Sequence, residues 1–282
     1  MRKWKPGWAL VLSGGGARGI SHIGVLKEFE KAGFPEPALV VGTSMGAIVG
    51  GLYACGMSSG ELEKFVVENF DINNYLDSFA FKITGPVGKV IQTGQALASL
   101  ASKPGIDSGS KLLELFEDLT GGKSFDETRC AFRCNAVDLV SGKEMIFSSG
   151  SVARAIRASM SFPIFFEPLM EGELCLVDGG LADNMPVAIA RQEGYKKVLA
   201  INCNFFAARE ASELKNGPQV VYRSIESALN AYEKHKLKAN LTLTVTDEES
   251  PFSFFKQKEL IELGEQAVKE NMQVLQRFFK KV

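Results

Sequence analysis

The chain has 282 residues, of which 45% are hydrophobic and 23% are charged, and its formal net charge is −1. This composition is typical of a globular protein with a sizeable core, and the near-zero charge gives no indication of a nucleic-acid partner. No apolar run reaches the roughly 18 residues of a membrane span, and the basic start MRKWKPGW lacks the apolar stretch and cleavage site of a secretion signal.

The first part of the chain alternates strands and helices. Residues 8–13 are apolar and predict a strand, which is followed by the glycine-rich turn GGGARG and by a helical pattern from about Arg18 to Ala32. Residues 39–41 predict a second buried strand, which runs into Gly-Thr-Ser-Met-Gly and a helix that ends near Ala54. Because the elements alternate at this spacing, we expect parallel strands with helices on both faces of the sheet.

The rest of the chain predicts one domain over residues 1–282, with core motifs in 8–198 and a C-terminal helix-and-strand extension in 199–282. Residues 61–122 are less regular, and 71–105 form a candidate lid. The expected fold is α/β, with a mostly parallel sheet of about six strands. The further predicted strands are 131–139, 143–148, 174–177, 197–202 and 241–245, and the further helices are 151–158, 186–192, 219–238 and 257–281.

A G-x-S-x-G pattern at residues 42–46 lies between the second predicted strand and its helix. A serine on such a turn is exposed, and flanking glycines let the substrate approach closely. The N–H groups that open the helix also stabilise negative charge. We therefore predict Ser44 as a nucleophile, with the N–H of Met45 beside the developing charge. The alternative is a turn built from small residues, since short G-x-S-x-G patterns also arise by chance.

The glycine-rich turn at residues 14–19 fits G-x-G-x-x-G, the pattern of a dinucleotide site. Such a site needs an acidic residue at the end of the second strand, but that strand runs into glycine and Glu36 precedes it. The favoured interpretation is an oxyanion hole that faces the nucleophile across the sheet edge. Arg18 then stiffens the loop or assists the anion, unless it only caps the helix. The N–H donors are expected from Gly14, Gly15 and Gly16.

A serine nucleophile needs a base, and two aspartates are candidates. Asp178 ends the predicted strand 174–177 and precedes two glycines, a location that matches that of Ser44. Partial burial there would raise the pKa of the carboxyl toward the range of a useful base. Asp183 precedes Asn-Met-Pro, a pattern typical of a helix start. We predict Asp178 as the base and Asp183 as a cap.

The chain contains two histidines, and neither is favoured as the base. His235 lies in the charged run YEKHKLK, which is typical of a solvated helix face. His22 follows the glycines by one helical turn and is expected to be structural. The scattered cysteines indicate free thiols in a reducing cytoplasm, and with two histidines they do not indicate a zinc site. No metal and no cofactor are expected. The cysteines are Cys55, Cys130, Cys134, Cys175 and Cys203.

Three motifs together resemble those of patatin-like phospholipases, most closely the short bacterial members without further domains. GGGARG at 14–19, GTSMG at 42–46 and DGG at 178–180 match the glycine-rich, nucleophile and base motifs in order and separation. The resemblance runs from about residue 8 to residue 198 and includes the segments SMSFP and NMPV. Three linked motifs are far more specific than any one of them.

The resemblance implies a three-layer α/β/α sandwich and a Ser–Asp dyad that needs no metal. The family motif often opens with Asp where this chain has Ser13, a departure that affects no residue with a chemical role. The base motif at residues 178–180 reads DGG, whereas other members of the family have DGA, and both forms occur in the family. By position, the implied roles are nucleophile for Ser44, base for Asp178, and oxyanion loop for Gly14, Gly15, Gly16 and Arg18.

The expected function is that of a serine lipid acyl hydrolase of the phospholipase A, lysophospholipase or carboxylesterase type. Its partners would be an acyl lipid or phospholipid and, transiently, a membrane surface; the oligomeric state stays open. One alternative is an acyltransferase with the same dyad, although the acyl-carrier transacylases place His where Thr43 stands. The other is a non-catalytic lipid-binding protein. The phenylalanines that either line an acyl site or form plain core are Phe162, Phe165, Phe166, Phe252, Phe254 and Phe255.

Overall fold

The computed structural model describes residues 4–76, 103–204, 206, 208, 210–214, 217–233, 237–246 and 254–280. Ten strands lie within these ranges. They are β1 (Ala9–Leu12), β2 (Leu39–Gly42), β3 (Gly105–Asp107), β4 (Ala131–Asp138), β5 (Lys143–Phe147), β6 (Ile164–Phe166), β7 (Leu169–Glu171), β8 (Leu174–Asp178), β9 (Val198–Asn202) and β10 (Leu241–Thr244).

The described residues also form nine α-helices and several short 3₁₀ turns. The helices are α1 (Ser21–Lys31), α2 (Met45–Ala54), α3 (Ser59–Lys64), α4 (Ser110–Thr120), α5 (Val152–Ser159), α6 (Val187–Gln192), α7 (Gly217–Glu233), α8 (Gln257–Glu270) and α9 (Met272–Phe279).

The central sheet has the strand order β10-β9-β1-β2-β4-β8-β7, with β5 also paired to β4. The five strands from β10 to β4 are parallel, and β5, β7 and β8 run antiparallel to their neighbours. The loops after β1 and β2 therefore leave the sheet side by side at its carboxyl edge, which is where α/β proteins collect their functional groups.

Helices cover both faces of this sheet, as the three-layer prediction requires. On β1, Leu10 and Leu12 face the larger core, which includes residues of α1, α2, α5 and α8. Ala9 and Val11 face the opposite side, where they pack with Val187 and other residues of α6. This alternation arises because successive side chains of a strand point to opposite faces. The predicted α/β fold class is confirmed.

The structure differs from the sequence-based expectation in two details, and it leaves a third prediction untested. The central sheet has eight strands instead of about six, and the three-residue strands β3, β6 and β7 were not predicted. The single helix expected at 257–281 is two helices, α8 and α9, because the chain bends at Asn271. Of the candidate lid at 71–105, residues 77–102 lie outside the described residues.

The C-terminal part of the chain packs against the element that carries the glycine-rich turn. A Cβ on Gly24 of α1 would lie 1.9 Å from the carbonyl oxygen of Ile261 in α8. A Cβ on Gly264 of α8 would lie 2.0 Å from the carbonyl oxygen of Ser21. Helices α1 and α8 therefore approach more closely than any larger side chain at these two positions allows. Strand β9, which follows α6 in the chain, pairs with β1 over four residues.

Candidate active site

Ser44 lies on a strained turn between β2 and α2. It is the N-cap residue of α2 with φ 54° and ψ −121°, a backbone conformation that costs a serine about 1–3 kcal/mol. The glycines on either side make the turn possible: a Cβ on Gly42 would lie 2.2 Å from the carbonyl oxygen of Gly46, and a Cβ on Gly46 would lie 2.2 Å from that of Leu12. The G-x-S-x-G pattern therefore has a steric cause in this fold.

The structure places Asp178 beside Ser44. The Ser44 Oγ donates a hydrogen bond of 2.7 Å to Oδ2 of Asp178, and the N–H of Gly180 donates one of 2.7 Å to Oδ1. The carboxyl is buried, with 2% of the residue exposed. Burial raises the pKa of Asp178 to about 6, although the two hydrogen bonds offset part of the rise. A carboxylate with this pKa is a stronger base than a solvated one.

Asp178 reaches Ser44 by a route that differs from the expected one. The sequence analysis placed Asp178 at the end of a strand in a mostly parallel sheet, but β8 runs antiparallel to β4. Asp178 pairs with Ala136, while Gly42 at the end of β2 pairs with Cys134. Because β4 extends past the end of β2, the carboxyl of Asp178 lies next to the turn after β2 despite the antiparallel direction of β8.

The glycine-rich turn lies against the nucleophile, but its three glycines differ. A Cβ on Gly14 would lie 2.4 Å from Oδ1 of Asn184 and 3.2 Å from the Cβ of Ser44, so a larger residue there would displace Asn184 and press on the nucleophile. The N–H of Gly14 donates to the carbonyl oxygen of Asn184 at 3.1 Å and is therefore not available to a ligand. In the described part of the chain, the N–H groups of Gly15, Gly16 and Met45 have no acceptor. These three line the cavity beside Ser44.

Arg18 supports the glycine-rich turn from behind. Its side chain is buried; Nε donates to the carbonyl oxygen of Gly15 at 3.3 Å, and one Nη donates to Oδ1 of Asn204 at 2.7 Å. In a trans peptide the C=O and the following N–H point in opposite directions. By fixing the carbonyl of Gly15, Arg18 orients the N–H of Gly16 away from itself. This geometry favours the stiffening role over direct contact with an anion.

Two serines that the sequence analysis gave no role hold the pair in place. The N–H of Ser44 donates to Oγ of Ser159 at 2.9 Å, and the N–H of Asp178 donates to the carbonyl oxygen of Ser161 at 3.0 Å. Ser161 in turn bonds the buried guanidinium of Arg157. The segment SMSFP was noted as part of the resemblance, and its position at the end of α5 gives it this function.

Asn135 is a second connection that the sequence analysis missed. Its Oδ1 accepts a hydrogen bond of 2.7 Å from Oγ1 of Thr43, the residue before Ser44. Its Nδ2 donates to the carbonyl oxygen of Asp183 at 3.0 Å and to Glu144 at 2.8 Å. Asn135 therefore ties the turn of the nucleophile to the turn after Asp178. The signal available in the sequence was an amide in the middle of an apolar predicted strand.

His22 and Asp183 occupy structural positions, while His235 lies outside the described residues. His22 Nε2 donates to the carbonyl oxygen of Ser13 at 2.8 Å, and Nδ1 lies 3.4 Å from Sγ of Cys203. Burial lowers the pKa of His22 to about 4, with a partial offset from the Ser13 bond. Asp183 accepts from the N–H of Met185 at 3.1 Å, so it caps the turn before α6 and not α6 itself.

An apolar cavity of about 200 Å³ opens beside Ser44. Phe162, Phe165, Phe166 and Phe254 line it, as the acyl-site interpretation expects, whereas Phe255 is exposed and Phe252 lies outside the described residues. Polar groups of the site, including Ser44 and Asp178, belong to a cavity lining that is otherwise mainly hydrophobic. Such a cavity suits a hydrocarbon chain with one polar group at its end. Further lining residues are Ile23, Leu52, Leu62, Phe116 and Met160.

Two features are absent from the described residues. No group of three or more His, Cys, Asp or Glu is placed there to hold a metal ion. None of the helices found there combines the length and the apolarity needed to cross a membrane.

The fold and this geometry define an α/β protein that carries a serine–carboxylate pair at a strand-to-helix turn. The family model for patatin-like phospholipase matches residues 10–191, about two thirds of the chain. The chain therefore belongs to the patatin-like phospholipase family.

Curated relatives include eukaryotic and bacterial proteins that are longer than this chain. A lysophospholipase NTE1 of Kluyveromyces lactis is 31% identical over 197 residues, which are 68% of this chain and 12% of the relative. The human patatin-like phospholipase domain-containing protein 6 is 34% identical over 197 residues, 69% of this chain and 13% of the relative. An NTE family protein of Mycobacterium tuberculosis is 29% identical over 193 residues, 68% of this chain and 30% of the relative. The chain spans about an eighth of the length of the first two.

Among solved structures, VipD of Legionella pneumophila matches with a TM-score of 0.49 at 17% identity, over 94% of this chain and 67% of that chain. ExoU of Pseudomonas aeruginosa, in complex with SpcU, matches with a TM-score of 0.47 at 19% identity, over 96% of this chain and 54% of that chain.

Proposed function

We propose that the protein is a serine lipid acyl hydrolase in which Ser44 is the nucleophile and Asp178 the base. The observation that carries this is the 2.7 Å hydrogen bond from Ser44 Oγ to a buried carboxylate whose pKa is raised to about 6. Family membership and the names of the lysophospholipase relatives support the same substrate class.

In the first half of the reaction, Asp178 takes the proton of Ser44 as Oγ attacks the ester carbonyl carbon. The negative charge that develops on the carbonyl oxygen is stabilised by the N–H groups of Gly15, Gly16 and Met45, two from the glycine-rich turn and one from the start of α2. The carbon–oxygen bond to the alcohol then breaks, and protonated Asp178 returns the proton to the leaving alkoxide. The acyl group stays on Ser44 as an ester.

In the second half, Asp178 acts on water. It accepts a proton from a water molecule as the oxygen attacks the acyl-enzyme, and the same N–H groups stabilise the second oxyanion. Collapse of this intermediate releases the fatty acid and returns the proton to Ser44 Oγ. The cycle consumes one ester and one water and yields one acid and one alcohol, and each step uses side chains and backbone groups of this chain.

The proposed substrates are acyl esters of lipids, with phospholipids and lysophospholipids as the main candidates. The apolar cavity accounts for the acyl chain, because burying each CH₂ of the chain contributes roughly 0.8 kcal/mol. Such substrates reside in membranes or micelles, so the proposal includes transient contact of the protein with a lipid surface. Localisation in the cytoplasm stays a prediction of the sequence analysis.

We also infer a single domain that continues past the family match. Strands β9 and β10 extend the sheet, and α8 packs tightly on α1 through Gly24 and Gly264. Removal of the residues after 198 would expose the apolar face of α1 and one edge of β1.

The experiment that tests the proposed function is a substrate screen with purified protein. p-Nitrophenyl esters of increasing acyl length come first, followed by phospholipids and lysophospholipids, with Ser44→Ala as the control for contaminating esterases. We expect hydrolysis that improves with acyl length until the cavity is filled and that falls by about 10³-fold or more in Ser44→Ala. An unchanged rate in Ser44→Ala would contradict the proposal.

A further inference from the structure

Among the side chains of α7 that the structure describes, none of the exposed ones is charged, although charged residues normally cover an exposed helix face. By contrast, five of the six exposed residues of α8 are charged, as expected for an amphipathic helix in water. Those of α8 are Lys258, Glu259, Glu262, Gln266, Lys269 and Glu270. The exposed side chains described on α7, referred to below as the uncharged face, are Val220, Val221, Ser224, Ser227, Ala228 and Ala231.

The described charged side chains of α7 point inward instead. Glu226 lies 3.8 Å from the guanidinium of Arg18 and 3.2 Å from that of Arg223. The side chains of Arg223 and Glu226 are only 16% and 10% exposed. The described charged groups of this helix therefore lie on its inner side, where Glu226 meets Arg18, and small or apolar groups meet the solvent.

Helix α7 forms part of the wall of the cavity beside Ser44. Ile225, Glu226 and Leu229 line that cavity, and through Arg18 the helix is connected to the carbonyl of Gly15 in the glycine-rich turn. The uncharged face is thus the outer side of an element whose inner side contacts the proposed acyl site.

Exposed apolar side chains occur at the start of α7, just before it, and next to the cavity-lining Phe254. Val220 and Val221 are 46% and 47% exposed at the start of α7, and Leu214, just before the helix, is 37% exposed. Phe255 is 52% exposed, while its neighbour Phe254 lines the cavity. Apolar surface therefore extends from the inside of the cavity to the outside of the protein along two segments, and an apolar patch of this kind marks a contact surface.

We propose that the uncharged face of α7, with Leu214 and Phe255, is the surface by which the protein docks on a neutral or zwitterionic lipid layer. The inference rests on the proposed function, because it places the site against the layer that holds the acyl substrate. A lipid layer fits better than an anionic partner, since the six residues of the uncharged face include no cation and the net charge of the chain is −1. The layer would accept the valine and phenylalanine side chains at its interface.

The test measures vesicle binding separately from catalysis. Ser44→Ala protein, which leaves the lipid intact, is mixed with phosphatidylcholine vesicles and the bound fraction is measured by flotation. Adding Val220→Ser and Val221→Ser should lower the vesicle partition coefficient about tenfold, because two apolar side chains no longer enter the interface. Adding Val220→Leu and Val221→Leu should raise it. Salt should change neither result much, since no ion pair with the lipid is involved.

A matched control comes from the sheet edge. Leu139 and Val140 are 54% and 70% exposed in the turn between β4 and β5, so Leu139→Ser with Val140→Ser removes a similar apolar area elsewhere. This control should bind vesicles like the parent. With Ser44 intact, the Val220→Ser/Val221→Ser protein should hydrolyse soluble p-nitrophenyl butyrate within about twofold of wild type and vesicle lipid about tenfold more slowly.

Several outcomes would overturn the docking proposal. They are unchanged binding in the valine-to-serine variant of α7, an equal loss in the sheet-edge control, or binding that requires anionic lipid and disappears in salt. A dimer that dissociates in the α7 variant, without vesicle binding by the parent, would assign the face to a second copy of the chain. Failure of the proposed function is distinguishable, because wild-type protein would then hydrolyse no ester while Ser44→Ala protein still reports vesicle binding.

Discussion

Ser44 and Asp178 lie 134 positions apart in the chain, yet Ser44 Oγ and Asp178 Oδ2 are separated by 2.7 Å. The serine is held on a strained turn, and the carboxyl is buried and bonded by Gly180. The histidine that the structure describes is bonded to Ser13 and Cys203 instead. We therefore infer that a carboxylate, and not a histidine, accepts the proton of the serine.

The first prediction concerns Asp178→Asn, which should separate activity from stability. Asparagine can still accept from Gly180 and donate to Ser44, but it cannot take a proton, so kcat should fall by about 10²–10⁴-fold. Because the folded pKa of about 6 exceeds the unfolded value of about 3.9, the ionised carboxylate costs stability at neutral pH. The cost is absent below about pH 4 and grows as the pH rises through 6.

The variant should therefore be more stable than wild type at pH 8, by about 1–3 kcal/mol, and close to wild type at pH 4. Urea unfolding at the two pH values measures this difference. A variant that loses stability at pH 8 would show that the ionised carboxylate is favourable in the fold.

The second prediction concerns the pH dependence of kcat/KM with a soluble ester. The rate should fall about tenfold per unit below pH 6 and reach a plateau above about pH 7, because the base must be ionised. His22 does not cause this fall of the rate at acidic pH (the acid limb of the profile), since its pKa is lowered to about 4. The limb should therefore persist in His22→Gln and in His235→Gln. Its disappearance in either variant would assign the base role to that histidine.

The third prediction concerns Arg18, which we expect to act through the glycine-rich turn. Arg18→Lys keeps a positive charge near Glu226 but loses the guanidinium group, whose separate N–H donors bond the carbonyl oxygen of Gly15 and the side chain of Asn204. We expect kcat to fall by about 10–100-fold with KM little changed, since N–H groups that serve the transition state lose their orientation. If KM rises and kcat does not change, Arg18 contacts the substrate directly.

The fourth prediction uses two glycines with different surroundings. Gly24→Ala puts a methyl group against α8 and should lower stability by about 1–3 kcal/mol or more, because α1 and α8 must separate. Gly60→Ala, in α3, meets no atom within 4 Å and should raise stability by about 0.5–1 kcal/mol. Thermal unfolding of both variants measures the contrast. Equal effects would show that α8 does not pack on α1 as described.

The sequence predicted the parts of the fold that local rules control. Strand, glycine turn and helix around Ser44 follow from apolar spacing and small residues, and the parallel core follows from the alternation of elements. The antiparallel direction of β8 did not follow, because direction depends on which strand is its neighbour. The three-residue strand β7 is too short for a periodic signal.

The candidate site was predicted unevenly for a similar reason. Ser44 and Asp178 lie in motifs whose chemistry is local, so each was identified in the sequence. Asn135 and Ser159 act on residues 92 and 115 positions away, and the sequence does not show which residues they contact. The Gly14 N–H was expected in the oxyanion hole, but its bond to Asn184 depends on a loop 170 positions away.

The measurement that tests the central claim most directly is labelling with a fluorophosphonate, which reacts as an analogue of the acyl transition state with an activated serine. Mass-spectrometric mapping of wild-type protein at pH 8 should place the phosphonyl group on Ser44, with the labelling rate about 10²–10⁴-fold lower in Asp178→Asn and no label in Ser44→Ala. A label on another serine, or an unchanged labelling rate in Asp178→Asn, would contradict the Ser44–Asp178 pair as the catalytic machinery.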